Sequence, residues 1–312
     1  MTFAATFPGQ GSQSTAMLAD LAAEFEVVEQ TFAEASDSLG FDLWKLVQEN
    51  PDNALNKTLN TQPAMLAAGV AVWRVWCAVE GAKPVVMAGH SLGEYTALVA
   101  SGALSFADAV RLVEARARYM QQAVPEGEGA MAAVLGLQDA QLIDVCKAVS
   151  TAEDIAEAVN FNAPGQVVIA GTVIAVERAI MGAKEAGAKR ALKLPVSVPS
   201  HSSLMRPASE KLAESLDFID IKTPNIPVIH NVSASVCNSA EAIREALIQQ
   251  LHSPVRWVES VQAMHAMNES GLYIEMGPGK VLSGLVKRTI KRTPVACVDS
   301  PNGLDNALDM QA

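Results

Sequence analysis

The chain has 312 residues, half of them hydrophobic and 18% charged, with a formal net charge of −11. This is globular composition, enough for one large domain or two, and it excludes a disordered chain. The acidic balance also excludes a general nucleic-acid binder, which needs a basic footprint.

In chain order, apolar runs of strand length alternate with longer helical patterns. "FAATF" (3–7) stops at Pro8-Gly9, as a strand meeting a turn does. "MLADLAAEFEVVEQTFAEAS" (17–36) has helical spacing. Thr61 is expected to cap a helix that carries Pro63 in its first turn and runs through "AMLAAGVAVWRVWCAVE" (64–80). "PVVMAG" (84–89) reads as a short buried strand, followed by one helix from Gly93 and another over 106–123. The alternation predicts an α/β fold with a mainly parallel sheet.

The texture changes at "VPEGEGAM" (124–131). Strands are expected at 130–137, 166–171 and 190–199, with helices at 139–150 and 175–187 between them. This β-α-β-α-β run predicts a small ferredoxin-like unit inserted in a larger domain. The expected division is 125–198 for the small subdomain, with 1–124 and 199–312 forming the large one. Beyond residue 200 the α/β pattern resumes, with strand character at 226–233, a helix at 240–251 and a strand at 272–277.

Four cysteines stand apart at 77, 146, 237 and 297, with no CxxC pair and no metal-ligand spacing. No metal and no cofactor are expected, and scattered thiols fit a reducing compartment. The opening "MTFAATFPGQ" lacks the basic region of a signal peptide. The apolar run "AMLAAGVAVW" ends at Arg74, too short for ~30 Å of hydrocarbon. The expectation is a soluble, cytoplasmic protein with no membrane partner.

The stretch Gly89-His90-Ser91-Leu92-Gly93 follows the predicted strand and opens the predicted helix. A nucleophile elbow needs that context. The turn is so tight that side chains two residues either side would collide, which favours glycine there. Such a turn exposes the Ser91 hydroxyl and aims the Leu92 N–H at a developing oxyanion. Gln10, at the end of the first strand, can point a side-chain amide donor into the same crevice.

Five histidines could serve Ser91. His90 is its neighbour and should point elsewhere. His265 lies in a helical run and reads as packing or surface. His201, on a loop just past a strand, is favoured, but His230 sits similarly and His252 stays open. No acid stands out as a third member.

Arg116 is more informative. At ~100° per residue, Leu112, Val113, Ala117 and Met120 share one apolar face of the 106–123 helix, and Arg116 falls inside it. A buried guanidinium needs a counter-charge. An internal salt bridge or snorkelling to the surface would supply one answer. A substrate carboxylate held bidentately would supply another.

Two glycine-rich stretches do not carry nucleotide chemistry. "PGQGSQ" (8–13) lacks the third glycine of GxGxxG, and "GPGKVLSG" (277–284) has neither the Walker spacing nor a Ser/Thr after Lys280. Basic residues clump at Lys189, Arg190 and Lys193, and again from Lys280 through Lys287, Arg288, Lys291 and Arg292. In an acidic chain these clusters are either solvated faces or attractors of an acidic partner.

Together, "FPGQGSQ", "TQPAML", "GHSLGEYTALVASGAL", "VRLVEARARYMQ", "VNFNAPGQVVIAG", "PVSVPSHSSLM" and "EMGPGKVLSGLVKR" resemble the malonyl-CoA:acyl-carrier-protein transacylase family of bacterial fatty-acid synthesis. The likeness runs to about residue 300. It implies an α/β-hydrolase-like large domain with a ferredoxin-like small one. It also implies a cytoplasmic acyltransferase with a serine nucleophile, in lipid metabolism. Ser91 would be the nucleophile and His201 its base, the imidazole oriented by a main-chain carbonyl near Gln250. Gln10 and the Leu92 N–H would form the oxyanion hole, and Arg116 would clamp the malonyl carboxylate. Malonyl-CoA would be the donor and acyl carrier protein the acceptor, docking through Lys189, Arg190, Lys287 and Arg288. Asn160 and Asn162 fall in a matching stretch and receive no chemistry. The rival is an esterase or thioesterase, whose usual order of Ser, acid and late His suits His252 or His265 better.

Overall fold

The computed structural model describes residues 2–311. Its strands are β1 (Ala4–Phe7), β2 (Val86–Gly89), β3 (Gly129–Leu135), β4 (Ala156–Ala163), β5 (Gln166–Thr172), β6 (Arg190–Lys193), β7 (Val228–His230), β8 (Ser235–Val236), β9 (Tyr273–Met276) and β10 (Val295–Val298). They form two sheets. The larger has the order β10-β9-β1-β2-β7-β8 and is parallel except for β8, which pairs with β7 antiparallel.

Helices cover both faces of the larger sheet, which explains why every residue of β1, β2, β7 and β9 is buried. Side chains alternate across the sheet, so each strand feeds two cores. Phe3, Ala5, Phe7 and Met87 pack with the helices Thr58–Ala78, Phe106–Ala123 and Arg206–Leu216. Ala4, Val86 and Ala88 pack on the other side against Trp257, Val261 and Leu282.

The second sheet is antiparallel, with the order β4-β5-β3-β6. It carries one strand more than the sequence predicts. β4 escapes the alternation rule because its register shifts at Ala158/Asn160 and again at Phe161/Ala163. Such bulges break the period-2 pattern, and only Ala156, Val159 and Ala163 of β4 are buried. Pro164-Gly165 then turns β4 directly into β5.

Other boundaries move for local reasons. The Thr58–Ala78 helix starts before Thr61, so Thr61 is not its cap. The Thr61 hydroxyl instead donates to the carbonyls of Leu55 (2.6 Å) and Lys57 (3.1 Å), placing Pro63 in the second turn. The strand expected over 190–199 stops at Lys193, just ahead of Pro195, whose nitrogen cannot donate to a ladder. The strand expected over 226–233 is three residues long, and Asn231 turns away from it. A terminal helix, Pro301–Gln311, buries Leu304 and Ala307. No described helix is long and apolar enough to cross a membrane.

Candidate active site

β2 ends at Gly89 and the helix Gly93–Ala100 begins two residues past Ser91. A Cβ on Gly89 would fall 1.8 Å from the Gly93 carbonyl carbon, and one on Gly93 would fall 2.0 Å from the Phe7 carbonyl oxygen. Any other residue at 89 would force the start of the helix away from β2, and any other at 93 would push the elbow off β1. Ser91 itself has φ 52, a conformation that costs a non-glycine residue of order 1–3 kcal/mol. Surrounding bonds hold it there. The Ser91 N–H donates to Asn231 Oδ1 at 2.7 Å, and Asn231 Nδ2 donates to the Gly89 carbonyl at 2.7 Å.

His201 is the imidazole that reaches the serine. Its Nε2 lies 2.8 Å from Ser91 Oγ, and its Nδ1 lies 2.7 Å from the main-chain oxygen of Gln250. A carbonyl can only accept, so Nδ1 carries the proton. Burial first, and then the Arg116 charge, push the His201 pKa down to about 3. The ring is therefore neutral near pH 7, and Nε2 is a free acceptor for the serine proton. No carboxylate takes part. His265 is exposed on its helix, and His252 and His265 make no described bond to Ser91.

Arg116 is 1% exposed and makes no salt bridge among the described residues. Its Nη1 donates to Gln62 Oε1 (2.6 Å), while its Nη2 donates to Gln250 Oε1 (3.0 Å) and to Ser91 Oγ (3.2 Å). Its Nε has no partner, and the guanidinium lies 5.4 Å from the centre of the Tyr95 ring. Burial lowers its pKa, opposed by Tyr95 and Glu94. Both bland readings of Arg116, internal ion pair and surface snorkel, are thus overturned. A permanent cation, surrounded by neutral acceptors, faces the Ser91 hydroxyl.

The two expected oxyanion donors fare differently. The Leu92 N–H has no hydrogen-bond partner among the described residues. The Gln10 side chain, by contrast, is turned to Thr58 Oγ1 at 3.5 Å, so its amide is not aimed at Ser91 as expected. The main-chain N–H of Gln10 is unpartnered among the described residues, and Gln10 lines the same cavity as Ser91. That cavity holds about 530 Å³ between the two sheets. Met131, Val168 and Leu194 form an apolar wall; Asn53, Asn56 and Thr58 line a polar one. Among its described lining residues, Arg116 is the sole Asp, Glu, Lys or Arg.

Residues 5–304 match the acyl transferase domain family. The malonyl CoA-acyl carrier protein transacylase of Escherichia coli K12 is 54% identical over 99% of both chains. That of Bacillus subtilis 168 is 47% identical over 97% of this chain and 95% of its own. The chain belongs to the malonyl CoA-acyl carrier protein transacylases.

Solved members of that transacylase family superpose closely. An acyl carrier protein S-malonyltransferase from Vibrio cholerae O1 gives a TM-score of 0.95 at 54% identity, covering 98% of this chain and 99% of that one. A malonyl-transacylase in complex with a type II PKS acyl-carrier protein gives 0.97 at 55% identity, covering 99% of this chain and 100% of that one.

This transacylase also holds buried polar residues around the elbow: three that the sequence does not single out, and His230, which it offers only as a base for Ser91. Gln62, Glu94, His230 and Asn231 are each at most 1% exposed. Glu94 Oε1 accepts from His230 Nδ1 at 2.7 Å. Burial would lower the His230 pKa, but the Glu94 charge outweighs it, with Cys237 adding to the rise, and pushes the ring up to about 10. Glu94 was findable by the argument that found Arg116, since it is the lone charge in the apolar helix "GEYTALVA". Gln62 and Asn231 carry no such local signal. His90 turns away from the serine as expected, its Nε2 lying 2.7 Å from Asn162 Oδ1 and its ring 5.4 Å from Trp257. Asn160 lines the cavity with its Oδ1 unpartnered.

Proposed function

We propose that the chain moves a malonyl group from malonyl-CoA to the phosphopantetheine thiol of an acyl carrier protein, for fatty-acid synthesis, through an ester on Ser91. The observation that carries this reading is Arg116: a buried guanidinium without a protein carboxylate, 3.2 Å from the nucleophile. A short acyl chain with a free carboxylate at its far end meets both requirements at once.

Ser91 Oγ attacks the thioester carbonyl while His201 Nε2 takes its proton. The Leu92 N–H, with the main-chain N–H of Gln10, stabilises the oxyanion, aided by the N-terminus of the Gly93–Ala100 helix. The C–S bond breaks, His201 returns the proton to sulfur, and CoA leaves. The carrier thiol then runs the same steps backwards. Throughout, Arg116 holds the malonyl carboxylate, replacing neutral acceptors with an anion. No step requires a metal or cofactor.

The strand–Ser91–helix elbow on a mainly parallel sheet supports an α/β-hydrolase-like large domain, at 1–124 and 199–312. The order β4-β5-β3-β6, joined as β-α-β-β-α-β, supports a ferredoxin-like subdomain over 125–198. Free cysteines support a reducing, cytoplasmic setting. The carrier complex of the similar malonyl-transacylase supports carrier protein as acceptor.

Partition of the acyl group separates this reading from a thioesterase. With malonyl-CoA and holo carrier protein, malonyl should appear on the carrier thiol; free malonate as the main product would defeat the proposal. Lys189, Arg190, Lys287 and Arg288 are exposed and would steer the acidic carrier. Charge reversal at Lys287 and Arg288 should raise KM for the carrier more than for malonyl-CoA. An unchanged carrier KM would leave them as plain surface charges.

A further inference from the structure

Behind the elbow lies a carboxylate that touches no substrate yet is bonded to the supports of every reacting side chain. Glu94 is fully buried in the first turn of the Gly93–Ala100 helix. Its Oε2 accepts from the Asn231 N–H (2.9 Å) and from Gln250 Nε2 (2.9 Å), and its Oε1 accepts from His230. Asn231 in turn brackets the elbow at Ser91 and Gly89. Gln250 Nε2 also donates to the Ser91 carbonyl at 3.0 Å.

An ionised carboxylate only accepts hydrogen bonds. Together with the Ser91 carbonyl, it therefore dictates which way round the Gln250 amide stands. With Nε2 drawn to Glu94, Oε1 must face the other way, and there it accepts from Arg116 Nη2 at 3.0 Å. A reversed amide would present NH₂ to a guanidinium, two donors with no acceptor between them. Resting on the malonyl-transfer reading above, we propose that Glu94 is a positioning residue for substrate choice: by fixing the Gln250 amide it holds the Arg116 guanidinium beside Ser91, where a malonyl carboxylate is recognised. His230 serves as the counter-charge that keeps this carboxylate in the core.

Glu94→Gln weakens the constraint, because an amide at 94 can donate as well as accept, leaving only the Ser91 carbonyl and the Arg116 donor to hold the Gln250 amide. A scaffold role alone would lower malonyl and acetyl loading together. The assigned role lowers malonyl loading more. The test measures loading of Ser91 from malonyl-CoA and from acetyl-CoA by intact mass, with Tm recorded for each variant. The malonyl-to-acetyl rate ratio should fall about tenfold or more in Glu94→Gln, the size of one lost charge-assisted bond. Glu94→Asp keeps the charge but withdraws it by one methylene, and it should lower the ratio less. A parental ratio in Glu94→Gln, with both rates reduced alike, would overturn the assignment. Should Glu94→Gln not fold, a parental ratio in Glu94→Asp would do the same. A parent chain that loads neither thioester would overturn the function beneath it, an outcome distinct from an unchanged ratio.

Discussion

Arg116→Ala is expected to lower malonyl loading of Ser91 on the order of 10²–10³-fold, while acetyl loading falls far less. The asymmetry follows from burial. In the free chain the guanidinium leans on Gln62, Gln250 and Ser91, all neutral acceptors. A malonyl carboxylate gives the buried guanidinium a full counter-charge, and losing one partner of a buried pair costs ~3–5 kcal/mol. An acetyl group offers nothing to pair with, so removing the arginine costs it no ion pair, only the Arg116 bond to Ser91 Oγ. Rates with both thioesters, read as kcat/KM, decide the point. Equal losses would mean that Arg116 supports the fold and does not choose the substrate.

His201→Ala is expected to slow acyl-serine formation about 10²–10⁴-fold, the range of a positioned general base. The parent should also show an unusual pH profile. Burial and the Arg116 cation both oppose a charged imidazole, and the His201 pKa lies near 3. A base that stays neutral at low pH stays competent there. For the free enzyme, kcat/KM should show no acid break between about pH 5 and 7, where an ordinary histidine would impose one. In Arg116→Ala one of the depressing causes is gone, so the break should move up toward the ordinary value. A parental break near pH 6.5 would mean that His201 titrates as a solvated ring, against its burial here.

The parts of the site legible in the sequence were those with a local signature. Gly89, Ser91 and Gly93 announce an elbow because steric crowding between adjacent backbones dictates the glycines. Arg116 announces itself by breaking an apolar helical face. The histidine beside Ser91 is narrowed but not fixed by sequence, since His201 and His230 read alike as strand-end residues and only the tertiary fold brings one to Ser91 and the other to Glu94. Gln62 and Asn231 were invisible, because a buried amide looks like any surface amide until its partners are known. The parallel sheet is readable from short, mostly apolar strands alternating with helical patterns. β4 was not, because its two register shifts scramble the alternation that marks a strand. The Gln10 side chain was aimed wrongly because Thr58, 48 residues away in sequence, competes for it.

The account depends on Ser91 Oγ becoming an ester with a carboxylate-bearing acyl group. Intact-mass measurement of the chain after brief exposure to malonyl-CoA tests this most directly, with Ser91→Ala alongside. The prediction is a parent heavier by one malonyl group, no gain in Ser91→Ala, and return to the starting mass when holo carrier protein is added. Labelling that survives in Ser91→Ala, or a parent that never gains mass while turning over, would contradict it.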